Sequence, residues 1–270
     1  MATRERGQLG RHVRSAFAVQ SGVVFALAVR EMYRRFGEYK LGVLWALLEP
    51  MLMIIVFMLL FGARGRGEFG FIEPPLFILA SFLPFKVLFT KSLQAVNTAG
   101  RAMGPFSMLR QVGLFDLMVA RVLLTGVTAV LALVIIMLGL AWFDYDPIPD
   151  HMLETFGGFV MITLFGFAIG IIFCVAGSFA KEMDKVTGLI NLPLLFLSAV
   201  FYPMTMVPEP YRSYLAYNPL VHVMEWIRES WFTHYTSPVI DLEYTTTWLI
   251  CLWALAMASY RVRWRRIIAA

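Results

Sequence analysis

Residues 198–232 read SAVFYPMTMVPEPYRSYLAYNPLVHVMEWIRESWF, a stretch too polar and proline-broken to cross a bilayer and too apolar for an ordinary loop. Asn218 followed by Pro219 has the form of a helix N-cap with proline at the first helical position. Projected at 100° per residue, the helix that starts there puts Leu220, Val223, Met224, Ile227 and Trp231 on one face. His222, Glu225, Arg228 and Glu229 fall on the other. An amphipathic helix of this kind is expected to lie on a membrane rather than to pass through it.

Working outward, the rest of the chain supplies the membrane. Of 270 residues, 59% are hydrophobic and 15% charged, with a mean hydropathy of +0.71, which is the composition of a polytopic membrane protein. Windows long enough for a hydrocarbon core of about 30 Å fall at roughly 41–62, 76–97, 120–143, 156–180, 186–206 and, shorter, 245–260. The reading is an all-α membrane protein of six transmembrane helices forming one domain. Residues 1–40 are a cytoplasmic N-terminal segment, 41–260 the six-span bundle and 261–270 a basic cytoplasmic tail. Within the first segment, residues 13–36 are expected to form an amphipathic helix on the cytoplasmic surface, with Arg30, Arg34 and Arg35 near anionic headgroups. The first 20 residues lack the apolar core and cleavage site of a signal peptide.

Basic residues then set the orientation. Eighteen Lys and Arg flank the spans on the side of the two termini, against four in the other connections, with Lys86 inside a span. Both termini are therefore expected in the cytoplasm and residues 198–232 outside. Membrane orientation accounts for the net charge of +5, so no nucleic-acid partner is called for.

The chain has no phosphate-binding GxxxxGK[ST] loop, no HExxH, no GxSxG and no paired cysteines, so no catalytic site and no nucleotide hydrolysis are expected of it. Cys174 and Cys251 lie inside spans. His151 with Glu154 and His222 with Glu225 have i,i+3 spacing, but two ligands do not make a metal site, and none is expected. Glu49, just before Pro50 in the first span, has two readings: a polar wall near the inner mouth of a conduit, or an ion pair with Lys86. The 40 aromatic residues are mostly lipid-facing or packing, with a minority suited to pack on sugar rings. The segment Asn97–Asp116, NTAGRAMGPFSMLRQVGLFD, is short, basic and broken by Gly100, Gly104 and Pro105. It fits either an ordinary turn or the docking point of a separate motor.

Three blocks carry a family resemblance: REMYRRFGEYKLGVLWALLEPMLMIIVFMLLFG at 30–62, Asn97 through Pro105 and Phe106, and FYP at 201–203 with YNPL at 217–220 followed by His222, Glu225 and Arg228. Together they resemble the membrane subunit of ABC exporters for bacterial polysaccharides, most closely the capsule polysaccharide export permeases. The resemblance implies a multi-pass protein of the bacterial inner membrane that exports a lipid-linked acidic polysaccharide. It implies a homodimer with two copies of a cytoplasmic ABC ATPase, ATP and Mg residing on that partner, and a periplasmic adaptor linked to an outer-membrane conduit. It also implies short re-entrant or interfacial external helices between spans five and six. Under this reading the substrate path involves Arg30, Arg34, Arg35, Trp45, Glu49, Phe57, Phe61, Phe201 and Tyr202. Coupling falls to Arg101, Pro105 and Phe106, and an external gate or adaptor contact to Tyr217, Asn218, Pro219, His222, Glu225 and Arg228. The alternatives are an O-antigen, teichoic acid or small-molecule exporter of the same fold and, from another class, a membrane-embedded glycolipid-processing enzyme.

Overall fold

The computed structural model describes residues 16–36, 48, 51–52, 55–56, 59, 72–104, 112–180 and 183–269. Every regular element among them is helical. Helix α1 is Ala16–Phe36, α2 Pro74–Asn97, α3 Leu114–Trp142 and α4 Met152–Gly177. Then come α5 (Met183–Leu197), the short α6 (Tyr211–Leu215), α7 (Pro219–Trp231) and α8 (Leu242–Ala269). Helices α2, α3 and α4 are each long and apolar enough to cross a membrane. The expected first span, 41–62, lies mostly outside the described residues.

Local chemistry explains where the helices begin and bend. In α2, Pro74 and Pro75 occupy the opening positions, where a missing N–H costs nothing. Pro84, inside the helix, has no N–H to give, and from it the chain widens into a π-helical segment, Pro84–Thr90. Helix α3 starts at Leu114, earlier than the expected 120, because the Asp116 carboxylate accepts from the Gly113 N–H at 3.0 Å and caps it. Arg121, at the edge of the expected span, thereby lies about two turns inside the helix. Helix α8 continues through the basic residues of the expected 261–270 tail to Ala269.

The expected span 186–206 stops at Leu197. The chain reverses at Ser198–Val200, with Ala199 at φ +53°, and the last carbonyls of α5 are taken up locally. Leu194 O accepts from Ser198 N at 2.9 Å, Phe196 O from the Tyr202 hydroxyl at 2.7 Å, and Leu197 O from Asn218 Nδ2 at 3.1 Å.

Helix α4 is the central element: α2, α5, α7 and α8 all pack on it, while α1 packs on α3. Its glycines set the closest approaches. A Cβ at Gly166 would stand 2.5 Å from Phe89 O, and one at Gly158 2.4 Å from Ile227 Cγ1. Small residues thus let α2 and α7 sit directly against α4. The core on that side holds Phe82, Phe85, Phe89, Ile162, Phe165, Val223, Met224, Ile227 and Trp231. On the opposite side of α3, Leu123, Val127, Val130, Val134 and Leu138 form an exposed apolar stripe.

The Asn218 cap and Pro219 at N1 stand as expected, with Asn218 Oδ1 accepting from Leu220 N at 3.1 Å. The expected surface position of α7 is corrected: ten of its thirteen residues are buried, including His222, Glu225 and Arg228 of the polar face. The polar face looks solvent-bound in the sequence because its charges are read singly, whereas in the fold they satisfy each other inside protein.

Candidate functional site

Two ionic clusters stand at opposite ends of the bundle. The first is built around Arg228 of α7, which is fully buried. Its Nε donates to Ser81 Oγ of α2 at 2.7 Å, Nη1 to the Glu225 carboxylate, and Nη2 to Ala199 O and, at 3.3 Å, Val200 O. The guanidinium also lies 4.7 Å from the centre of the Phe77 ring. Glu225, equally buried, accepts from Met204 N at 3.3 Å and from the Tyr235 hydroxyl. Burial, and then the neighbouring Glu225 charge, push the Tyr235 hydroxyl above its usual range, so it stays a proton donor to that carboxylate. Four separate segments thus meet at one salt bridge with its hydrogen-bonding groups engaged.

This cluster explains why α7 is inside the bundle. Lipid is as apolar as leucine, so an apolar face alone gives α7 little reason to leave the membrane for protein. A buried carboxylate and guanidinium do, since either one left unpaired costs about 3–5 kcal/mol. Hydrogen bonds at the start of α4 complete the docking: Thr155 Oγ1 and Ser230 Oγ are 2.9 Å apart, and His151 N donates to Ser230 O at 2.9 Å.

The second cluster centres on Glu31 of α1, which is 5% exposed. Arg34 bonds it through Nε at 3.0 Å and Nη2 at 2.6 Å, Arg35 Nε lies at 3.5 Å, and Arg121 Nη2 of α3 at 3.2 Å. Burial acts to raise the Glu31 carboxyl, but the hydrogen bond from Arg34 and the charges of Arg121, Arg34 and Arg35 outweigh it and hold the carboxyl below its usual range. Arg121 is 2% exposed and also donates to Ala95 O and Thr98 Oγ1, both at 3.0 Å, tying α1 and α3 to the end of α2.

The residues singled out in the sequence fall as follows. Arg34 and Arg35 belong to the Glu31 cluster, and Arg30 is on the exposed side of α1. Phe201 stacks on Phe82 at 6.1 Å between ring centres, and Tyr202 caps α5. Arg101 is exposed on a short helical turn, Ala99–Ala102, which α8 braces: a Cβ at Gly100 would stand 2.5 Å from Ile267 Cγ2. Tyr217 is exposed, Asn218 and Pro219 are half-buried, and His222, Glu225 and Arg228 are buried. Both His222 nitrogens are occupied, Nε2 donating to Ala216 O at 2.7 Å and Nδ1 accepting from Asp241 N at 3.1 Å. Among the described residues no three His, Cys, Asp or Glu gather as metal ligands. Trp45, Glu49, Phe57, Phe61, Pro105 and Phe106, and any pairing of Glu49 with Lys86, lie outside the described residues.

Four contributors escaped the sequence reading: Glu31, Ser81, Arg121 and Tyr235. Glu31 carried a signal, three and four residues before Arg34 and Arg35. So did Arg121, a cation in a run otherwise apolar enough to span.

A helical bundle with three helices apolar and long enough to cross a membrane and an ionic cluster at each end is matched by known proteins. The family model described as ABC-2 type transporter matches residues 22–232. The polysialic acid transport protein KpsM of Escherichia coli is 34% identical over 252 residues, 93% of this chain and 96% of the relative. The capsule polysaccharide export inner-membrane protein BexB of Haemophilus influenzae is 24% identical over 81% of this chain and 82% of its own. CtrC of Neisseria meningitidis serogroup B, also named a capsule polysaccharide export inner-membrane protein, is 26% identical over 90% and 92%. The match takes in the Glu31 cluster, the Arg228 cluster except Tyr235, and the three helices long and apolar enough to cross a membrane, and the chain belongs to the ABC-2 type transporter family.

Proposed function

We propose that the chain is the transmembrane subunit of an ATP-driven exporter that moves lipid-linked capsular polysaccharide across a bacterial inner membrane, powered by a separate ATPase subunit. The observation that carries this reading is likeness to capsule and polysialic acid export proteins over nearly the whole chain. The assembly we propose is a homodimer with two cytoplasmic ABC ATPases that bind ATP and Mg, and a periplasmic adaptor leading to an outer-membrane conduit. No cofactor is assigned to this chain. Six spans with both termini cytoplasmic put α7 outside and α1 inside, a placement supported by the distribution of basic residues.

In this reading the ATPases act on α1 and on the segment from Arg101 through Pro105 and Phe106. The Ala99–Ala102 turn rests on α8, α2 and α3, so a push there is delivered to the bundle rather than lost in a loop. The polymer passes between protomers along span one, with Trp45, Glu49, Phe57 and Phe61, and past Phe201 and Tyr202 at the far end of α5. Arg30, Arg34 and Arg35 stand near the inner entrance. At the exit, Tyr217 offers an exposed ring to a partner, while Glu225 and Arg228 position the helices from within.

Deleting the gene is expected to abolish surface capsule and to leave polymer inside the cell, restored by the gene in trans, and the chain is expected to co-purify with an ATPase subunit. Turnover of a lipid-linked sugar by the isolated chain would overturn the reading. For topology, cysteines at 145 or 212 are expected to label from outside the inner membrane and one at 103 is not.

A further inference from the structure

Where α1 crosses α3, the two helices leave an apolar groove of about 790 Å³, within the range of sites that bury a small organic ligand. Phe25, Ala28 and Met32 form one wall, and Val119, Leu123 and Val127 the other. The groove has two unlike ends. At one, Asp116 is held by Gln20 Nε2 at 3.0 Å and by the Gly113 N–H. At the other, Arg35 follows Met32 by one turn on the same face of α1 and is 27% exposed. Among the described residues, Arg35 belongs to a group of three guanidiniums around the Glu31 carboxylate.

We propose that this groove holds an acyl chain of an anionic phospholipid from the leaflet in which α1 lies, with its phosphate on Arg35 and Arg34. Continuity favours a lipid as the occupant: Leu123 and Val127 of the groove are also the first members of the exposed stripe that runs on through Val130 and Val134. In a helix that crosses a membrane such a stripe faces hydrocarbon. One leaflet contributes about 15 Å of it, or about ten helical residues, which is the length from Leu123 to Val134. A sugar polymer is the wrong occupant, because the lining offers its hydroxyls almost nothing to pair with.

Charge then selects among lipids. The guanidinium-rich end suits a phosphate without a compensating cation of its own, and guanidiniums bind phosphate oxygens in a forked geometry. A zwitterionic headgroup brings an ammonium into the same surroundings and loses most of that gain. The inference rests on the chain's being embedded in a membrane, not on the polymer it exports. Its consequence is that the helix proposed to receive ATPase motion is seated partly on a bound lipid.

The test is native mass spectrometry of the purified complex with its ATPase subunit, titrated with phosphatidylglycerol and with phosphatidylcholine of identical acyl chains. Phosphatidylglycerol is expected to be retained roughly fivefold more tightly. Arg35→Gln should remove that preference without weakening phosphatidylcholine, Arg35→Lys should keep most of it, and Leu123→Trp, at an exposed position, should weaken both lipids by filling the groove. Equal retention of the two lipids by the wild type, an unchanged preference in Arg35→Gln, or unchanged binding in Leu123→Trp would overturn the proposal. Surface capsule retained in the gene deletion, with the lipid preference of the purified protein intact, would count against the export reading instead.

Discussion

The Arg228 cluster and the Glu31 cluster use the same chemistry for opposite ends. Around Arg228 there is one cation and one anion, both fully buried, and the surrounding donors and acceptors are protein groups. Around Glu31 three cations share one anion, and Arg34 is 60% exposed. The first is closed and balanced, and its salt-bridged pair has no exposed surface. The second is open, and among the described residues its guanidiniums outnumber its carboxylates. A closed pair positions helices, whereas an open one with an exposed guanidinium retains the capacity to meet another charged molecule.

The sharpest way to break the comparison is at Arg228. Arg228→Met leaves Glu225 buried and unpaired and is expected to cost about 3–5 kcal/mol in detergent unfolding titrations. Adding Glu225→Gln removes the stranded charge and should recover part of the loss, a coupling that a double-mutant cycle measures. Full additivity would mean that the two residues do not act as a pair.

Next comes Glu31→Gln, expected to cost about 3 kcal/mol, at the lower edge of the buried-pair range because part of the cluster is exposed. Removing the exposed partner by Arg34→Gln should cost no more than about 1 kcal/mol. The Glu31 carboxyl is depressed in the folded protein, so its contribution is complete above the ordinary carboxylate range and is lost as pH falls through the lower folded value. Wild-type stability should therefore fall on acidification below about pH 4, and that component should be absent from Glu31→Gln. A component of the same size in the variant would remove Glu31 from the account.

A smaller effect than at Arg228 or Glu31 is expected at Asn218. Asn218→Ala removes the cap of α7 and the donor to Leu197 O, for about 1–2 kcal/mol by the same titration. Asn218→Asp keeps the cap alone and should lie between the variant and the wild type.

How much of this was legible depended on how far apart the partners lie along the chain. Asn218-Pro219 could be read because a cap and its helix are neighbours, and the apolar face of α7 because periodicity is local. Its destination could not: the packing against Ile162 and Phe165 and the bond to Ser81, 147 positions from Arg228, leave no trace in spacing. The end of α5 was misplaced for the same reason, since an apolar run continues past Leu197 while the groups that stop the helix come from Tyr202 and Asn218. Arg121 fell at the edge of the expected span because charge was taken to mark a boundary, and its neutralising partner sits on α1. The termini of the bundle were therefore readable as positions of charge, and the clusters that close them were not.

The cap at Asn218 also bears on how the protein ages. An asparagine amide is ordinarily lost when the backbone nitrogen of the next residue attacks it, and here that nitrogen belongs to Pro219, which has no hydrogen to give up. The side chain that joins α5 to α7 needs its amide as well as its oxygen, one to donate to Leu197 O and the other to accept from Leu220 N. The proline that starts the helix thereby also closes the succinimide route by which this amide would ordinarily be lost.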